Sequence, residues 1–141
     1  MNCSHLIEHM HDPMIVLQEV YRVLRPGGLL YIEAPDMRST LLPHLPGVAP
    51  EGMFNFWDDP THIRPYTRIA LKSLCRICGF VGVKTMVVRD WLLVLSIPRS
   101  VWRFVRYRHN KYITNVLAPI GGLFVSCLAR KPSCRPPAAT T

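Results

Sequence analysis

Acidic residues all but vanish from the second half of this 141-residue chain: after residue 66 only Asp90 remains, against thirteen Lys and Arg. The first 66 residues reverse the balance, with eight acids and four bases. The halves therefore carry −4 and +12, which sum to the chain's +8. A polarity this strong turns the second half toward something anionic. Long apolar runs are missing too. Trp91–Ile97 is short, and Val116–Leu128 is interrupted by Pro119, Gly121 and Gly122, so no bilayer span is expected. There is no internal repeat, and thirteen prolines and eight glycines without a period exclude collagen, coiled coils and long helical repeats. No RNA-binding module signature occurs, which speaks against nucleic acid as a partner. The five cysteines show no framework spacing and no secretory signal opens the chain, which makes the cytoplasm the expected compartment.

What is present suits a packed α/β unit. Apolar residues make up 49% and charged residues 18%, enough for a core in one domain or part of one. Asp12-Pro13 reads as a helix start, with Asp as cap and Pro at the first helical position. Met14, Leu17, Val20, Tyr21 and Leu24 follow at helical spacing, and Pro26-Gly27-Gly28 ends the helix. Leu29-Leu30-Tyr31-Ile32 then suits a strand buried on both faces. Residues 36–66 form a long connection with Pro43, Pro46, Pro50, Pro60 and Pro65. Thr67 reads as the cap of a second helix, with Ile69, Leu71, Leu74, Cys75 and Cys78 on its apolar face and Gly79 at its end. Cys75 and Cys78 read as small inward apolar residues, with a redox or zinc pair as the alternative. Phe80–Val88 reads as a strand, 90–118 as basic and helical in pieces, Gly122–Ala129 as a last strand, and 132–141 as a frayed tail.

Ser4-His5-Leu6-Ile7-Glu8-His9, then Asp12-Pro13, then Leu24-Arg25-Pro26-Gly27-Gly28 before an apolar strand, together resemble the second half of class I S-adenosylmethionine-dependent methyltransferases. His62-Ile63-Arg64-Pro65-Tyr66-Thr67 before a helix and Cys78-Gly79-Phe80 adds to the resemblance, as does a closing strand at Ala129-Arg130-Lys131. The likeness is nearest to the group that includes the ubiquinone-biosynthesis O-methyltransferases. It implies a Rossmann-like open sheet with helices on both faces and an antiparallel last strand. This chain would supply the fifth, sixth and seventh strands over residues 1–131. Met1-Asn2-Cys3 would stand where the fourth strand ends, and the strand at Leu29 would lose a neighbour, exposing a hydrophobic edge. The cofactor-binding half, with its glycine-rich loop and ribose-holding acid, is expected upstream, and Gly-x-Gly-x-Gly occurs nowhere here.

The resemblance places Ser4, with His5, against the amino-acid part of S-adenosylmethionine at the carboxyl end of the sheet. A capping role for Ser4 is the alternative. His5, Glu8 and His9 stand at i, i+3 and i+4 and share a helical face. They suit a divalent metal, acid–base work, or a polar network holding loop to sheet. Some relatives use Glu-x-x-Glu-His as metal ligands. His5 replaces the first Glu here, and His62 is the natural completing ligand, giving Glu8, His9 and His62 as the metal set. His62 is also the candidate base that deprotonates a substrate hydroxyl, while Arg64 and Tyr66 suit either the substrate or the loop scaffold. Met53-Phe54-Asn55-Phe56-Trp57 reads as an anchoring cluster or an apolar lid. Arg99–Tyr112 mixes Arg99, Arg103, Arg106, Arg108 and Lys111 with Val101, Trp102, Phe104, Val105 and Tyr112. It reads as a helix packed on the sheet, or as one that lies on an anionic membrane surface or grips phosphate. The expectation is part of a methyltransferase for a small molecule or lipid-like substrate, inactive alone. The rival reading is a non-enzymatic interaction or regulatory module bound through its basic half.

Overall fold

The computed structural model describes residues 1–42, 55–88, 95, 97–107 and 122–133. Strands β1 (Asn2–Ser4), β2 (Leu29–Pro35), β3 (Val81–Val88) and β4 (Phe124–Arg130) form one open sheet in the order β1-β2-β4-β3. β1 and β2 run parallel, and β4 runs antiparallel to both β2 and β3. The last strand is therefore antiparallel, as expected of a Rossmann-like α/β sheet of the methyltransferase kind.

Asn2–Ser4 adds a fourth strand to the three expected. Met1 fixes it: its amino group donates to the Leu29 carbonyl at 2.8 Å, and its own carbonyl accepts from Tyr31 N at 3.0 Å. The edge of β2 opposite β4 is thus occupied rather than bare. Among the described residues β1 has no second partner.

Local chemistry sets the helices. Asp12 accepts from Met14 N at 2.9 Å, and α1 (Pro13–Val23) follows with Leu17 and Val20 buried. At its end, Lys131 Nζ donates to the carbonyls of Tyr21 and Leu24 at 2.6 Å each, placing a cation where the helix dipole favours one. Thr67 accepts from Ala70 N at 3.1 Å and opens α2 (Arg68–Ile77). Leu71 and Cys75 are fully buried and Cys78 nearly so, but Ile69 is 78% exposed. Ile69 lies two residues before Leu71, about 200° around the helix, so it cannot share that face.

β2 alternates instead of burying both faces. Leu30, Ile32 and Ala34 are buried, whereas Leu29 is exposed and Tyr31 and Glu33 are half-buried. The buried side joins Leu17, Val20, Leu71, Cys75, Phe80, Val125 and Cys127 in one core between the sheet and the two helices. Cys75 pairs not with Cys78 but with Cys127, their sulfurs 3.6 Å apart. That shared hydrogen bond and burial push the Cys75 thiol up, so both behave as small core residues. The long connection is pinned where it leaves and rejoins the sheet: Tyr66 N donates to Pro35 O and Met37 N to Tyr66 O, both at 3.0 Å.

Candidate functional site

β1 ends at Ser4, paired with Glu33 two residues before the end of β2, and in parallel open sheets that carboxyl end is where ligands sit. Ser4 Oγ donates to Asn2 Oδ1 at 2.7 Å. His5 then turns the chain with φ +51°, a left-handed value uncommon for a side-chain-bearing residue, held by its N–H on Glu33 O at 2.9 Å. The turn directs the chain into a short 3-10 segment, Ile7–His9, that drives Glu8 inward.

Glu8 is fully buried, and neither carboxylate oxygen has a hydrogen-bond partner. His5 Nδ1 lies 3.3 Å from Glu8 Oε1 in ion-pair contact only, with half of its own side chain exposed. The Glu8 backbone is satisfied, since its carbonyl accepts from Ile63 N at 2.8 Å. A buried carboxylate without donors is costly and asks for an explanation.

The residues ahead of Tyr66 bring His62 to it. One ring nitrogen each from His9 and His62 and one Glu8 oxygen all lie within 4.8 Å of one another. The hydrogen bonds fix both tautomers. His62 Nδ1 contacts the Phe56 carbonyl at 2.7 Å; a carbonyl only accepts, so in a neutral ring Nδ1 carries the proton and Nε2 the lone pair, while Asp59 Oδ2, 3.6 Å from Nε2, would pair with a protonated ring. Thr61 Oγ1 donates to Asp59 Oδ1 at 2.6 Å, so it accepts from His9 Nδ1 at 2.9 Å, and His9 Nε2 is likewise left with a lone pair. Those bonds from Thr61 hold the Asp59 carboxyl below its ordinary value. Both imidazoles are oriented through Nδ1–H by protein oxygens, the arrangement found behind metal-bound histidines.

Packing steadies the cluster. His62 stacks on Phe56 at 4.5 Å between centroids and 19° between planes, and its ring centroid is 4.8 Å from that of His9. Phe56 is buried and Trp57 is exposed, so this part of the aromatic cluster anchors the connection; Met53 and Phe54 lie outside the described residues. Asn55 and Asp58 cap the turn at Phe56–Asp58, and Asn55 Nδ2 also donates to Thr40 O and Leu42 O. Tyr66 and Arg64 serve the scaffold. Tyr66 Oη donates to Ile7 O at 3.2 Å, and burial raises its phenol to about 12. Arg64 donates to His11 O at 2.9 Å.

Glu8, His9 and His62 are thus brought together, with His5 beside them and Ser4 at the strand end. The residues that sequence reasoning missed are Asp59 and Thr61. Asp59-Pro60-Thr61 reads as turn punctuation, and its place next to His62 was the available hint.

The sequence matches, over residues 1–85, a family profile described as a methyltransferase domain. The chain belongs to this methyltransferase family. Solved structures agree on the fold. An S-adenosylmethionine-dependent methyltransferase from Archaeoglobus fulgidus is similar over 92% of this chain, with a TM-score of 0.56 and 21% identity. A Haemonchus contortus phosphoethanolamine N-methyltransferase, solved with S-adenosylmethionine, is similar over 93%, with a TM-score of 0.57 and 13% identity. A putative sarcosine dimethylglycine methyltransferase from Galdieria sulphuraria is similar over 94%, with a TM-score of 0.54 and 18% identity. The match covers 57%, 32% and 52% of those three chains, so this methyltransferase chain spans between a third and just over half of their lengths. No curated protein matches its sequence. Among the described residues no helix is long and apolar enough to cross a membrane.

Proposed function

We propose that this methyltransferase chain forms the substrate side of an S-adenosylmethionine-dependent enzyme acting on a small molecule or lipid-like nucleophile, and that it is inactive alone. The supporting observation is the cluster of Glu8, His9 and His62 at the carboxyl end of two parallel strands. Ser4 and His5 border the cofactor's amino-acid part in this reading. Every described strand is accounted for and none is followed by a glycine-rich turn, so the residues present fit only one edge of a cofactor site. Methyl transfer needs chiefly alignment of nucleophile, methyl and sulfur. His62 Nε2 is the lone pair available to take a proton from a substrate hydroxyl.

Glu8's unbonded oxygens favour a further element, a divalent cation held by Glu8, His9 and His62. His5 is its second neighbour rather than a ligand. Such an ion would supply charge to settle the carboxylate and to polarise a substrate oxygen. The donor set suits Zn²⁺ or Mn²⁺ better than Mg²⁺, because imidazole favours softer ions. A tetrahedral site with bonds near 2.1 Å sets its ligand atoms about 3.4 Å apart, so side-chain rotations suffice to close the cluster.

Two measurements test these statements. Calorimetric titration of S-adenosylhomocysteine into the 141-residue chain should show affinity no tighter than about millimolar. Micromolar binding would mean that other residues replace the glycine loop. Added Zn²⁺ or Mn²⁺ should raise the melting temperature of the wild type and not of Glu8→Gln. An equal rise in both, or none in either, leaves the cluster as a polar network tying loop to sheet.

A further inference from the structure

The sequence leaves two readings for the basic segment Arg99–Tyr112, a helix packed on the sheet or one lying on an anionic membrane surface, and residues 108–112 lie outside the described residues. Helix α3 (Ile97–Tyr107) covers the rest. Among its described side chains Ser100 is buried, and Ile97 and Arg103 are half-buried. Val101, Trp102 and Val105 are 44%, 61% and 71% exposed, and Leu95, just before the helix, is 78% exposed. With about 100° per residue, Val101, Val105, Trp102, Arg106 and Arg99 follow one another across roughly 160° of the outer surface. Apolar residues come first, tryptophan stands in the middle, and arginines close the arc. The helix contains no acidic residue.

We propose that this outer side of α3 docks on an anionic lipid bilayer, with the valines and Trp102 entering the headgroup boundary and Arg99 and Arg106 over it. Charge complementarity names the occupant: thirteen of the chain's seventeen basic residues, and one of its nine acids, lie after residue 66. The apolar stripe separates a bilayer from other polyanions. A nucleic-acid backbone is satisfied by cations alone, and exposed valines gain nothing from it. A bilayer interface uses both halves of the arc, with tryptophan at the boundary between them. This inference goes beyond the methyl-transfer reading and does not depend on it, because vesicle binding is measured without cofactor or substrate.

The test is co-sedimentation of the full chain with phosphatidylcholine vesicles with and without phosphatidylserine, at low and high salt. The wild type should bind the anionic vesicles, and less so as salt screens the charges. Each basic residue near such a surface is worth about fivefold. Changing Arg99 and Arg106 together to Gln should therefore weaken binding on the order of 25-fold at low salt. Val105→Asp, at a site exposed enough to spare the fold, should weaken binding about tenfold or more by adding a buried charge and removing an anchor. Circular dichroism confirms that each variant is folded. The proposal is overturned if the wild type does not bind anionic vesicles at low salt, or if the double variant binds as well as the wild type. It is equally overturned if Val105→Asp binds unchanged and soluble heparin competes fully, since the helix is then a general polyanion site.

Discussion

Helices α2 and α3 are of nearly equal length, carry basic residues and no acids, and have apolar residues at helical spacing, yet they use them in opposite ways. α2 turns Leu71, Cys75 and Cys78 inward and shows solvent two isoleucines, Ile69 and Ile77. α3 turns Ser100 inward and shows solvent Val101, Trp102 and Val105. Apolar spacing thus identifies a face but not what covers it. For α2 the cover is the sheet, reached because Gly79 and Phe80 lead straight from its end into β3.

The comparison can be broken at several points, and the largest effect is expected in the core. Leu71→Ala should lower unfolding free energy by about 2–5 kcal/mol, as buried leucines do, read as a shifted urea midpoint. An effect below about 1 kcal/mol would mean that α2 is not held by its inward face. Alkali should act next. Tyr66 is buried with its phenol raised to about 12, against an ordinary value near 10. The folded state therefore keeps this proton more tightly, and the associated stability is full below pH 10 and lost as pH climbs toward 12. The loss should be on the order of 1–2 kcal/mol after solvent screening. Tyr66→Phe should flatten the dependence in urea melts taken across that range. Removing the α2 cap by Thr67→Ala should cost about 1 kcal/mol, seen in the same melts. Val105→Ala, the counterpart of Leu71→Ala on α3, should change stability by no more than about 0.5 kcal/mol. A cost comparable to that of Leu71→Ala would erase the distinction between the helices.

Much of this was legible in the sequence, for reasons that differ by element. Asp12-Pro13 and Thr67 announce their helices because a cap acts within its own turn, and both side chains make the expected bonds. The insertion of β4 between β2 and β3 is a long-range pairing that no local pattern shows; the family resemblance supplied only that the last strand runs antiparallel. At the site, i, i+3, i+4 spacing grouped Glu8 with His9, and resemblance added His62. Depth was not legible: nothing in the spacing says that Glu8 is fully buried with bare oxygens while His5, three residues earlier, is half in water. The orientation of His9 through Thr61 and Asp59 was hidden too, because it runs across fifty-two residues of sequence separation. For α3 the helical periodicity was legible, but which of its residues turn to solvent was not.

The pairing of Asp36 with Tyr66 has a consequence for how this domain could diversify. Backbone bonds at Pro35, Met37 and Tyr66 close the connection at its base, so the sheet does not sense how much chain lies between. Lengthening a closed loop costs little, about 0.6 kcal/mol for each doubling. Within this connection Phe56, Asp59, Thr61 and His62 belong to the site and are not interchangeable, so the tolerance applies between Leu42 and Asn55, whose side-chain amide ties the two ends together. Sequence can be gained, lost or exchanged there at small thermodynamic expense, while β1, β2 and the carboxylate–imidazole cluster beside them stay in register.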